Sequence, residues 1–231
     1  LFVTLCVSNH YKVTDQYPTS LTDKQGKDFP PYNTVFYYFN KWKPEGVSEE
    51  LMDTLHRMVR KLMGREETPS LGIIDSRSAK SSHHVDADRG IDGNKKIKGR
   101  KEHIVVDTLG LPMSMVVHEA NVHDSVGADG VIDKMKGCFP RLKKMLADGG
   151  YKGQKLSDTV RQKLGAELTV VPVRTVFEEI LRVAAPVDCE ALFLLAGKLS
   201  KNRLDYEFYS DTGEAMVQLA FCRLMYNKLC D

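Results

Sequence analysis

Residues 142–150 read LKKMLADGG and residues 71–75 read LGIID. Each is a short run with an apolar centre that stops on an aspartate, Asp148 in the first and Asp75 in the second. Such runs, bounded by turn formers, fit strands buried in a sheet. One aspartate at a strand end is by itself a turn former. Two say more, because neighbouring strands lie about 4.8 Å apart and carboxylates at adjacent strand ends can converge on one divalent cation. The pair Gly149–Gly150 behind Asp148 would let backbone or DNA approach closely.

Working outward, residues 102–107 (EHIVVD) and 111–118 (LPMSMVVH) flank Leu109 and Gly110 and read as an antiparallel hairpin. Residues 125–136 and 153–164 suit helices. Residues 166–173 suit a last strand, with Pro172 placing it at an edge or strand end. Asp211 and Glu214 have the spacing of a capping box that opens a helix through Leu229, with Met216, Leu219, Ala220, Leu224 and Met225 for its buried side. Upstream, Val35, Phe36, Phe39 and Trp42 recur at helical spacing, as do Leu51, Leu55, Met58, Val59 and Leu62, and Ser48 is a plausible start for the second helix. Residues 1–30 show no sustained period. The order strand, hairpin, helix, strand, helix, strand, helices is that of an α/β fold, a mixed sheet flanked by helices.

With 42% hydrophobic and 28% charged residues the chain has the composition of a globular domain. The run Leu1 to Val7 is apolar but too short to span a bilayer and has no basic leader, so no membrane or targeting segment is expected. A first residue of Leu1 in place of Met suggests a fragment. Five cysteines (Cys6, Cys138, Cys189, Cys222, Cys230) lack the close pairs of a zinc or disulfide framework and read as reduced thiols of a cytoplasmic protein. The net charge of +2 decides little, but its distribution is uneven. Lys95, Lys96, Lys98, Arg100 and Lys101 fall within seven residues, with Arg77, Lys80 and Arg89 upstream. A solvated loop and a phosphate-binding surface stand on even terms for that run.

A third acid would complete an all-oxygen site suited to Mg²⁺ or Mn²⁺. The candidates are Glu178, Glu179, Glu190 and Glu207, and Glu190 lies on the flank of the apolar stripe of a helix starting near Val187. His118, His123 and Asp124 have a spacing that could hold a transition metal, but imidazoles suit zinc or iron better, and a structural hydrogen-bonding role is preferred. His83 and His84 read as loop residues beside the basic run.

Five stretches carry a specific resemblance. GIIDSRSAKSSHH (72–84), DRGIDGNKKIKGRKEHIVVDTLGLP (88–112), HEANVHDS (118–125) and LADGGYKG (146–153) resemble the DDE transposases of bacterial insertion sequences, and DYEFYSDTGEAMVQLAFCRLMYNKL (205–229) resembles their C-terminal segment. DFPPYNTVFYYFNKW (28–42) is similar to the end of that family's helical N-terminal region, and YPTSLTDKQ (17–25) to its beginning, as if the piece between were deleted. The resemblance implies a truncated helical region over 1–66 and a ribonuclease H-like catalytic domain over 67–231. It implies Asp75 and Asp148 as the first two catalytic, metal-holding acids and Glu190, counted back from Asp205, as the third. It further implies two Mg²⁺ or Mn²⁺ ions, DNA as partner (element ends and target), cleavage followed by strand transfer, and a homodimer as the candidate assembly. Arg77, Lys80, Lys96, Lys98, Arg100, Lys101 and Lys152 are the expected DNA contacts. A noncatalytic DNA-binding remnant and a nuclease of the same fold are the alternatives.

The stretch from Phe177 to Asn202 breaks the pattern although both flanks keep it. Family members carry an Arg-Trp pair before the third acid and an Arg after it, where this chain has Val187, Asp188 and Cys189, then Ala191. Reading FEEILRVAAPVDCEALFLLAGKLSKN one base later permits family-like residues at preserved length. The segment therefore reads as out of frame between two compensating shifts, in a copy of reduced activity.

Overall fold

The computed structural model describes residues 30–82, 87–172 and 204–230. Two helices come first, α1 (Tyr32–Trp42) and α2 (Val47–Leu62), where the apolar periodicity places them. The start of α2 differs from expectation. Its N-cap is Gly46 at φ +71°, and Ser48 lies inside the first turn, where its buried hydroxyl donates to Gln218 Oε1 at 2.5 Å. That bond ties α2 to the last helix instead of capping it.

Seven strands among the described residues form one sheet. They are β1 (Leu71–Ser81), β2 (Gly90–Asp92), β3 (Ile97–Asp107), β4 (Pro112–Glu119), β5 (Lys144–Ala147), β6 (Glu167–Val170) and β7 (Leu204–Asp205). Strand β3 is the hub: it pairs antiparallel with β1 on one side, and with β4 and β2 on the other. Strand β1 pairs in parallel with β5 at its start and with β7 at its end, and β6 extends the sheet beyond β5. Three further helices lie among the described residues: α3 (Asp124–Met135), α4 (Gln154–Leu164) and α5 (Ser210–Cys230).

Two expectations about strand length are corrected. β1 does not end at Ile74 but runs through Asp75 to Ser81, because Asp75 to Lys80 pair residue by residue with Ile104 to Gly99. The sequence DSRSAKS reads as loop on its own, and a non-local partner makes it strand. For the same reason β3 begins at Ile97, inside the basic run.

The sheet is covered on both faces. Ile74, Val105, Met113 and Met145 pack with Ala128, Val131, Ile132 and Met135 of α3 and with Leu156 and Val160 of α4. On the other face Met52, Leu55 and Val59 of α2 and Val217, Phe221 and Met225 of α5 close over Leu111, Met115 and Val117. Leu224, expected on the buried side of α5, is exposed. Glu214 makes no capping box: it accepts from the backbone N–H of Val117 and pairs with Lys134, joining α5 to β4 and α3. The β3–β4 turn is fastened by Asp107, whose Oδ1 accepts the N–H groups of Leu109 (2.8 Å) and Leu111 (2.9 Å), with Gly110 at φ +73°. Burial opposes charge on Asp107, but His56, Arg60 and the Leu111 N–H outweigh it and hold the carboxyl below its ordinary range.

Candidate active site

The parallel register of β1 and β5 aligns Gly72 with Met145 and Ile73 with Leu146. Counting two residues further along both chains, Asp75 stands opposite Asp148, whose backbone is still extended (φ −81°, ψ −178°). Aligned residues on adjacent strands are about 4.8 Å apart and project from the same face, so the two carboxylates share one small volume. They share that face with Ile73 and Leu146, which form their own small apolar cluster beneath the acids.

Each acid has one oxygen committed locally. Asp75 Oδ1 accepts the N–H of Ser76 at 2.7 Å, and Asp148 Oδ1 accepts the N–H of Gly150 at 2.9 Å. Asp75 is open to solvent, yet protein fills most directions around it. That partial desolvation, with the negative charges of Asp148 and Asp124, pushes its carboxyl above the ordinary range, against the Ser76 N–H and Lys95, which pull it down.

Asp124, the first residue of α3, is the group that sequence reasoning left outside the acid site. Its Oδ1 accepts from Lys101 Nζ at 2.9 Å and Ser76 Oγ at 3.0 Å. Burial works against its charge, and the Lys101 and Ser76 bonds more than compensate, so it stays ionised below the usual range. A carboxylate in a first helical turn is ordinarily a helix-dipole partner, which hides its second use. Behind it Tyr151 is buried, and its hydroxyl lies 2.9 Å from His103 Nδ1. Burial and the stacked ring of His118 drive the His103 pKa down to about 3, so His103 is neutral at physiological pH.

The expected DNA contacts separate into two groups. Lys80, Lys96, Lys98 and Lys152 are exposed, and so is Lys95, whose Nζ reaches the Ser76 carbonyl at 3.4 Å. Arg100 and Lys101, expected on the same surface, are interior. Arg100 is 0% exposed and its guanidinium meets Asp205 Oδ2 (2.9 Å) and the carbonyls of Asp88, Ala87, Glu207 and Phe208. Lys101 is 6% exposed on Asp124 and the Val122 carbonyl. Arg77 is half-buried in an ion pair with Glu102 at 2.5 Å.

The third acid is placed only in part. Glu190, like Glu178 and Glu179, lies outside the described residues, as do His83 and His84. Glu207 is buried beside Arg100 just past β7, which pairs with the far end of β1; it is separated from Asp75 by six strand residues or more, on the order of 20 Å. That distance removes Glu207 as a partner for Asp75. Among the described residues no three His, Cys, Asp or Glu side chains form a group that could hold a metal. The His118, His123 and Asp124 set therefore does not converge: His123 accepts from the Ser125 N–H as the cap of α3, and His118 bonds the Glu119 carbonyl. Cys138, Cys222 and Cys230 are unpaired thiols, and no helix among the described residues is long and apolar enough to cross a membrane.

A family model described as a transposase DDE domain matches residues 66–190, more than half of the chain. Asp75, Asp148 and Glu190 all fall inside the matched stretch. No curated protein matches the chain.

Proposed function

The chain belongs to the transposase DDE domain family, and from that premise we propose that it cuts and joins DNA at the ends of a bacterial insertion sequence, with Asp75, Asp148 and Glu190 as its metal-holding acids. The observation that carries the reading is the parallel register of β1 and β5 inside the matched stretch, which, continued two residues past Ile73 and Leu146, sets Asp75 against Asp148. Their uncommitted oxygens are hard, anionic donors of the kind Mg²⁺ and Mn²⁺ select. When bound, such an ion neutralises charge on a scissile phosphate and activates the attacking hydroxyl.

The chain's own residues do the rest. The Ser76 and Gly150 N–H groups lock one oxygen of each acid, so the carboxylates do not have to be ordered when the ion arrives. Lys95, Lys96 and Lys98, at the turn before and the start of β3, with Lys80 and Lys152, offer ammonium groups to the DNA backbone, and the charge of Lys95 acts on Asp75. Because the raised Asp75 pKa must be crossed before the site carries both charges, cation affinity falls earlier on acidification than it would for an ordinary carboxylate pair. The segment 177–202 departs from the family pattern around Glu190, so the rate of this copy is expected to be low.

The test is cleavage of donor DNA carrying the inverted repeats that flank the gene, in Mn²⁺, by the intact chain and by Asp148→Asn. Metal-dependent nicking at the repeat ends that drops by at least about 100-fold in the variant supports the reading. Equal nicking by both proteins overturns it, and binding without any nicking favours a noncatalytic remnant.

A further inference from the structure

One side chain touches the immediate neighbours of both acids. Asp124 Oδ1 accepts from Ser76 Oγ, and Ser76 gives its backbone N–H to Asp75. Its other oxygen lies over Gly150: a Cβ at that glycine would stand 2.8 Å from Asp124 Oδ2 and 3.1 Å from Asp148 Oδ1. A side chain at position 150 would crowd both carboxylates, and the same Gly150 donates its N–H to Asp148. Asp124 is itself held. Lys101, almost wholly buried, donates to it at 2.9 Å and to the Val122 carbonyl at 2.9 Å, with Asp92 at 4.0 Å on its far side. The chain of contacts thus runs from the interior of β3 through the first residue of α3 to the two places where β1 and the β5 exit present their acids.

We propose that Asp124, clamped by Lys101, is a positioning residue that sets the spacing of the Asp75 and Asp148 carboxylates for a divalent cation. It acts through Ser76 and the Gly149–Gly150 turn and not as a ligand. The proposal rests on the reading of Asp75 and Asp148 as the metal-binding acids, and it explains why a lysine of the basic run is withdrawn from the surface. Partners that orient metal ligands are ordinarily worth about 10- to 100-fold in metal affinity.

The experiment is a Mn²⁺ titration of the full chain, with free Mn²⁺ followed by electron paramagnetic resonance and folding checked by circular dichroism and thermal unfolding. Asp124→Asn keeps the size of the side chain and is expected to weaken Mn²⁺ binding by about 10-fold or more; because it also leaves the buried Lys101 ammonium without its carboxylate, binding is read well below the variant's own unfolding temperature. Asp124→Glu, which keeps the charge but moves it, is expected to weaken binding as well. Lys101→Met separates position from charge: a freed Asp124 binds Mn²⁺ less well if it positions and better if it only adds negative potential. Ser76→Ala cuts the link to Asp75 with every charge in place, is expected to weaken binding, and serves if the Asp124 variants do not fold. Wild-type affinity in Asp124→Asn, or tighter binding in Lys101→Met, overturns the proposal. Asp75→Asn and Asp148→Asn report on the underlying reading: if they too bind as wild type, the metal site itself is lost, whereas if they alone lose binding, only the role of Asp124 is.

Discussion

The run from Lys95 to Lys101 holds five cations that the fold sends in opposite directions. Lys95, Lys96 and Lys98 stand in solvent at the turn before β3 and at its start; Arg100 and Lys101, two to three residues further on, are among the most buried side chains of the molecule. Position along β3 decides. From Gly99 onward the strand has β1 on one side and β2, then β4, on the other, with helices over its faces, so Gly99 to His103 are buried whatever their charge. The inner cations are kept because oxygens meet them, Arg100 by one carboxylate and four carbonyls and Lys101 by Asp124 and a carbonyl. A run of like charges in a sequence is thus divided by the fold into an exposed set, proposed above to face DNA, and an interior set bonded to oxygens of the fold.

The contrast is broken most directly at Arg100. Removing the guanidinium in Arg100→Ala leaves Asp205 and four carbonyls without their donor in a buried place, for which about 3–5 kcal/mol of stability is the expected loss. Urea unfolding measures it. A loss under about 1 kcal/mol would mean that the side chain is not the anchor of the 204–208 segment and could turn outward to DNA.

The outer lysines should show the reverse signature. Changing Lys95, Lys96 and Lys98 together to Ala is expected to alter stability by no more than about 0.5 kcal/mol for each surface site. The same change should reduce the log-log salt slope of DNA binding by about 0.9 for each phosphate no longer neutralised. A slope unchanged within error, from a titration between low and physiological salt, would leave these lysines as solvated charge only.

Much of this was legible beforehand where the signal is local. The helical period of Leu51, Leu55, Val59 and Leu62 and the hairpin around Gly110 stand in the sequence as they do in the fold, and Asp148 directly follows its strand as read. What was not legible depends on partners far along the chain. DSRSAKS becomes strand only because β3 pairs with it, and Arg100 is interior only because β4 and β7 close around it. Asp124 was visible as an acid next to two histidines, but its link to Ser76 crosses 48 residues, and no spacing rule marks such a contact. Glu207 was a fair candidate by residue type, and the sheet order alone removes it.

The smallest expected effect lies where the outer cations meet the acids. An acid whose pKa is raised by folding holds its proton more tightly in the native state, so its ionisation costs stability as pH rises through the raised value and costs nothing below the ordinary carboxylate range. Asp75 is in that position, by partial desolvation first and by Asp148 and Asp124 after it, with Lys95 relieving part of the cost. Asp75→Asn should therefore melt about 1–2 °C higher than the wild type at pH 7 without metal, a modest gain because solvent reaches the carboxyl, and the gap should close near pH 3. Lys95→Ala, made in both backgrounds, should widen the gap at pH 7, since it withdraws a cation that holds the Asp75 pKa down. Mn²⁺ should invert the order, because an ion that binds the native wild type and not the variant stabilises only the former. Calorimetric scans of these proteins at pH 3 and pH 7, with and without Mn²⁺, separate these outcomes. A variant that melts lower than wild type at pH 7 without metal would show that the Asp75 charge is welcome in the fold, and the cost assigned to its desolvation and to Asp148 and Asp124 would have to be given up.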